Sequence, residues 1–244
     1  MEERRNRPDL RFSPAGKAGV GVRTEKRANA ADGELPDIVG MAAVYYNADD
    51  PEGTTYQLYD NVFERIMPGA FDAAVTRDDV RALQNHDPRL LLGRSTAGTL
   101  SLELRKDGLS YRITPPDTTA GRDTVTSLNR GDISGSSFAF LPTEGGVKWT
   151  KEEREVNGVK ITLYFRDITD VELFDVGPVT YPAYSGTSSG ARSRPGLLLL
   201  DQRSDGSAEL ATIRRSLEAF QEAELQPVIE SEQRARRLRL LELS

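Results

Sequence analysis

One imidazole serves the whole chain. Among 244 residues histidine occurs once, as His86 in "RALQNHDPRLLLGR". A serine nucleophile needs a base that titrates near neutrality, and imidazole is the usual choice. If the chain performs serine chemistry, its base is therefore His86. The plain alternative is an ordinary polar residue at the end of a strand. The setting strengthens the first reading. "VRALQNH" reads as a strand, Asp87-Pro88 stops it, and His86 thus lies at a rim, where sites tend to form.

The stretch "RGDISGSSFAF" offers three hydroxyls. In an extended chain Ile133, Gly135, Ser137, Ala139 and Leu141 share one face, while Ser134, Ser136, Phe138 and Phe140 share the other. Ser137 is a small hydroxyl among small neighbours, with room for a substrate carbonyl. Equally, such serines can satisfy backbone groups at the entry of a strand. In "DVELFDVGPVTYPAY" the residues Val171, Leu173, Asp175, Gly177 and Val179 fall on one strand face. Asp175 interrupts that apolar row, and a carboxylate there must be paired, because an isolated buried charge is costly. Orienting an imidazolium is one such use, and a salt bridge to an arginine is another. Glu172, on the opposite face, is the second choice for the same role.

Composition removes several other chemistries. The chain has no cysteine, which excludes disulfides, thiolate metal sites and cysteine nucleophiles. With a single histidine besides, a dedicated zinc or iron site is not expected, and no cofactor is called for. A formal net charge of -6 argues against binding nucleic acid through overall positive charge. No apolar run approaches the ~20 residues a membrane span needs. "GRSTAG" and "TAGR" are small and basic but do not match a phosphate-binding loop.

These candidates need elements to hold them. "DIVGMAAVYYN", "VRALQNH", "GTLSLELRKDGLSYRITP", "ISGSSFAFLP", "GVKWTKEEREVNGVKITLYFRDI" and "DVELFDVGPVTYPAY" read as strands, with hairpin turns at Lys106-Asp107-Gly108 and Asn157-Gly158. A short helix is expected after Pro68-Gly69, and another in "GRDTVTSLNRGD", closed by Gly131. Consecutive strands with tight turns and few helices predict an α+β domain built on an antiparallel sheet or barrel. Residues 1–36 mix Arg, Lys, Pro, Gly and Ala without periodicity and are expected to be a disordered arm. The domain then covers 37–185, a Ser/Gly/Arg linker 186–206, and a helical tail 207–244. In the tail Leu210, Ile213, Leu217 and Phe220 repeat at helical steps along one stripe.

Five stretches taken together resemble the tailed-bacteriophage prohead protease family: "FERIMPGAF", "NHDPRLLLGR", "GTLSLELRKDGLSYRITPPDT", "RGDISGSSFAF" and "VELFDVGPVTYPAY". They occur in the family's order and cover about residues 38–185. The resemblance implies a fold similar to the herpesvirus assembly proteases, a mostly antiparallel β-barrel-like core with flanking helices, and a serine endopeptidase of capsid maturation. By motif His86 matches the base and Ser137 the nucleophile. Asp175 stands where many members have Glu, and "SSFAF" where they have "MSFGF" or "MSFAF", so Ser136 adjoins the nucleophile. The loop around Gly93-Arg94 is a candidate oxyanion donor by analogy. The implied substrate is the major capsid protein or a scaffold, cut in the host cytoplasm inside the assembling shell. Self-cleavage is implied too, with the portal and further copies of the chain as additional partners. A non-catalytic scaffolding or assembly protein is the alternative, and the helical tail would suit it. An unrelated esterase is disfavoured by the lack of a GxSxG motif and of a βαβ pattern.

Overall fold

The computed structural model describes residues 9–13, 21–28, 31, 33–156, 158–180 and 210–224. Among these, thirteen strands and three helices lie in the first of two compact units, Met1–Gly196. In chain order they are β1 (Asp9–Ser13), β2 (Val22–Glu25), β3 (Asp37–Val44), α1 (Pro51–Thr54), β4 (Thr55–Tyr59), β5 (Val62–Ile66), α2 (Ala74–Arg77), β6 (Arg81–Leu83), β7 (Leu91–Arg94), β8 (Leu100–Arg105), β9 (Gly108–Ile113), α3 (Thr119–Arg130), β10 (Gly135–Pro142), β11 (Val147–Val156), β12 (Val159–Ile168) and β13 (Val171–Val179). In the second unit, Leu197–Ser244, residues 210–224 form a helix that carries the apolar stripe. The expected linker 186–206 and the rest of the tail lie outside the described residues.

The strands build three sheets, ordered β1-β10-β13-β6-β7, β11-β12-β5-β4 and β2-β3-β9-β8. Among the described residues none closes into a barrel, which corrects the barrel-like expectation. The two hairpins, β8–β9 and β11–β12, are antiparallel as their turn residues predict. The departure comes from two parallel pairings, β6 with β13 and β5 with β12, which join strands distant in sequence. Local patterns carry no record of such partners. A second correction concerns the start of the chain. Residues 9–13 and 22–25, assigned by composition to a disordered arm, are strands β1 and β2, paired antiparallel with β10 and β3. Their order comes from ladder hydrogen bonds offered by another strand, not from a side-chain pattern of their own.

The core is where the site strands are anchored. Phe138 and Phe140, on the same face of β10, stack with centroids 5.3 Å apart, and Phe71 meets Phe138 edge-on at 5.6 Å. All three rings are fully buried, each contributing about 1.5–3 kcal/mol by leaving water. Ile38, Tyr111, Ile113, Leu173 and Val176 complete the surroundings, with Val125 and Leu128 from α3. Helix α3 buries Gly121, Thr124, Val125 and Leu128, the 3- and 4-residue spacing of one helical face. Thr118 caps its start by accepting from the Gly121 N–H, and Gly131 ends it in the left-handed conformation at φ 82°. Because Phe138 and Phe140 point into this core, alternation turns Ser137 to the other side of β10.

Candidate active site

Ser137 lies opposite Gly177 in the β10–β13 ladder, and Ala139 lies opposite Asp175. Ser137 and Asp175 are therefore diagonal neighbours on one sheet face, about 7–8 Å apart at their backbones. That gap is too wide for a direct contact and suits one inserted ring. His86 supplies it. Its Nε2 stands 2.5 Å from Ser137 Oγ, and its Nδ1 stands 2.6 Å from Asp175 Oδ1. With Asp175 ionised, Nδ1–H donates to the carboxylate and Nε2 is left to accept from the serine hydroxyl. The His86 and Asp175 side chains retain 12% and 11% exposure, and Ser137 is fully buried. All three residues singled out in the sequence thus come together. Asp175 meets the histidine and not an arginine, since neighbouring Arg81 turns to Asp79.

The turn that carries His86 departs from the expected strand. β6 ends at Leu83, and Gln84–His86 form a single 3-10 turn in which Asn85 and His86 have φ of 54° and 55°. Two consecutive left-handed residues other than glycine cost on the order of 1–3 kcal/mol each and need external support. The Asp87 N–H donates to Gln84 O at 3.0 Å, closing the turn, and Gln84 N–H donates to Leu90 O at 3.1 Å. Asn85 clamps the turn to the end of β13: its Nδ2 donates to Thr180 Oγ1 at 3.1 Å, and its Oδ1 accepts from the Thr180 N–H at 2.8 Å. Gln84 Oε1 accepts from Thr124 Oγ1 of α3 at 2.7 Å. Strain concentrated at a residue with such supports is a common mark of a working site.

Gly177 is the other device that lets the turn approach. A Cβ added there would sit 2.0 Å from the Leu83 carbonyl oxygen and 3.0 Å from its carbon. Only a residue without a side chain allows the β6 backbone to lie this close to β13. Gln84, Asn85, Thr180 and Gly177 were missed in the sequence. Asn next to His before Asp-Pro was an available signal, since asparagine tolerates left-handed backbone in turns.

The remaining candidates separate cleanly. Ser136 points to the core side, where its hydroxyl donates to Tyr111 OH at 2.7 Å, and burial pushes the Tyr111 phenol well above its usual range. Ser134 and Glu172 are exposed, near opposite ends of the β10–β13 ladder. Gly93 and Arg94, expected in a loop, lie in strand β7. β7 is separated from β10 by β6 and β13, so three strand spacings of about 4.8 Å intervene. The Arg94 N–H donates to Thr99 Oγ1, and its guanidinium grips Asp79, holding that carboxyl well below its usual range. Among the described residues there is no group of three or more metal-ligating side chains, and no helix is long and apolar enough to cross a membrane.

A hydroxyl, an imidazole and a carboxylate joined in that order define a serine-hydrolase arrangement. The model of the caudovirus prohead serine protease family matches residues 23–196, and the chain belongs to that family. Membership assigns it a protease role in capsid maturation within the procapsid. No curated protein and no solved structure matches the chain.

Proposed function

We propose that the chain is a serine endopeptidase in which Ser137 is the nucleophile, His86 the general base and Asp175 the group that orients the imidazole. The observation that supports this reading is the continuous file from Ser137 Oγ through both His86 nitrogens to Asp175 Oδ1, at 2.5 and 2.6 Å. His86 Nε2 takes the hydroxyl proton as Oγ attacks a peptide carbonyl, and returns it to the leaving amine. Asp175 holds Nδ1–H and stabilises the imidazolium formed between the two transfers. Water then repeats the sequence on the acyl-enzyme, with His86 again the base. The substrates are the scaffold segment of the phage's major capsid protein, or a separate scaffold, together with the chain itself. Incubating the purified chain with that capsid protein, beside a Ser137→Ala control, tests the reading. Cleavage by the unsubstituted chain alone is the expected result. An uncut capsid protein in both tubes would instead favour a scaffolding role.

A further inference from the structure

β10 has two edges, and one of them is occupied by the start of the chain. On the inner side β13 pairs with it, Ser137 opposite Gly177. On the outer side β1 pairs antiparallel over five positions: Asp9 with Phe140, Leu10 with Ala139, Arg11 with Phe138, Phe12 with Ser137 and Ser13 with Ser136. Among the described residues β1 ends the sheet, with β10 as its one ladder partner. Without β1, β10 would be an edge strand whose free N–H and C=O groups flank the hydroxyl that His86 contacts. Such an edge binds extended peptides by adding a strand, the backbone supplying the hydrogen bonds.

We propose that the outer edge of β10 is the docking edge for an extended segment of the protein substrate, and that residues Asp9–Ser13 hold it as a resident competitor. The inference rests on the catalytic reading above. A peptide that continues the sheet can present a carbonyl beside Ser137 only along this edge, because β13 fills the other. Substrate and β1 therefore exclude one another, and Phe12 marks the position directly opposite the nucleophile. With β1 in place Ser137 is fully buried. The chain thus limits its own activity until β1 leaves. The apparent affinity for substrate falls in proportion to the fraction of molecules whose edge is open.

Two sets of variants of the full chain decide the matter. In an antiparallel strand alternate N–H groups point to a given neighbour, so Leu10→Pro with Arg11→Pro removes one ladder donor whichever residue supplies it. This double variant should cut the phage's purified major capsid protein about tenfold faster than the unsubstituted chain at low substrate concentration. Conversely, Ser13→Cys with Ser136→Cys places the only two cysteines opposite each other, at a Cα separation that suits a disulfide. Oxidation should form the bridge and lower cleavage about tenfold or more, and reduction should restore it. A second pair, Leu10→Cys with Ala139→Cys, is read for bridge formation alone. Failure of both pairs to bridge would overturn the placement of the strand. A bridged chain as active as its reduced form, or prolines without gain, would overturn the competition. An unsubstituted chain and proline variant that neither cleave nor react at Ser137 with a fluorophosphonate would overturn the catalytic reading, and the proposal with it, whatever the bridge yield.

Discussion

The β5–β12 pair and the β10–β13 pair both bury polar groups between neighbouring strands, and they do so in opposite ways. In the parallel β5–β12 pair, register places Glu64 opposite Arg166 and Arg65 opposite Asp167. Each charge meets its partner directly, at 2.5 Å for Arg166 Nη1 to Glu64 Oε2 and 2.6 Å for Arg65 Nε to Asp167 Oδ1. Arg65 also donates to Thr150 and lies over the rings of Tyr46 and Phe165. Here the charges neutralise one another across the ladder, with Thr150 and Glu152 joining the Arg65–Asp167 pair. In β10–β13 the two groups are diagonal, and a third residue from outside the two strands must span them. That residue comes on a strained turn held by Asn85 and Gln84. The difference teaches that strand register suffices to neutralise buried charge. A proton path between a hydroxyl and a carboxylate here requires an inserted, separately supported imidazole.

The sharpest break of the comparison is at the site itself. Ser137→Ala and His86→Ala should each lower the cleavage rate by about 10⁶-fold, with the double variant costing little more, because the members act as a unit. Asp175→Asn should cost about 10⁴-fold, since nucleophile and base remain but the tautomer is no longer fixed. Quantified cleavage of the capsid protein reads all four, and thermal melting should show each chain still folded. A cleavage rate of Ser137→Ala equal to that of the unsubstituted chain would remove the serine from its role.

The ion pairs should behave in the reverse manner. Glu64→Ala removes the fully buried carboxylate that faces Arg166 and should cost about 3–5 kcal/mol of stability in a urea titration. Cleavage per folded molecule should stay near that of the unsubstituted chain. Equal damage to stability and turnover would erase the distinction between the two regions.

Gly177→Ala joins both kinds of effect. The new methyl meets the Leu83 backbone, which cannot swing away as a side chain would. A loss of about 1–3 kcal/mol is expected, as for other overpacked sites. Turnover should also fall, because His86 follows Leu83 by three residues. A variant that loses stability but turns over normally would show that the turn tolerates displacement.

The smallest effect belongs to Ser136→Ala. The Tyr111 hydroxyl would lose its donor in a buried place, for about 1–3 kcal/mol of stability. Cleavage should persist, since this hydroxyl faces the core. Loss of turnover without loss of stability would instead bring Ser136 into the chemistry.

Residue types and short-range spacing singled out the three side chains that meet in the fold, and the family resemblance supplied the roles proposed for them. A single histidine and no cysteine left one base to choose, and alternation in "SGSSFAF" put Ser137 on the face away from two phenylalanines. Alternation in "VELFDVG" exposed Asp175 as a carboxylate in an apolar row, while Asn157-Gly158, Lys106-Asp107-Gly108 and Gly131 marked two hairpins and a helix end. These features are local, and the chain's chemistry within a few residues decides them. What tertiary structure alone decided is who meets whom. The parallel joining of β6 to β13, the clamping of Asn85 to Thr180, the Gly177 contact with Leu83 and the placing of Asp9–Ser13 against β10 all unite segments dozens of residues apart. A backbone hydrogen bond looks the same whichever strand supplies it, so no residue pattern announces these partners. They follow from the packing of the whole sheet, and that packing sets His86 between Ser137 and Asp175.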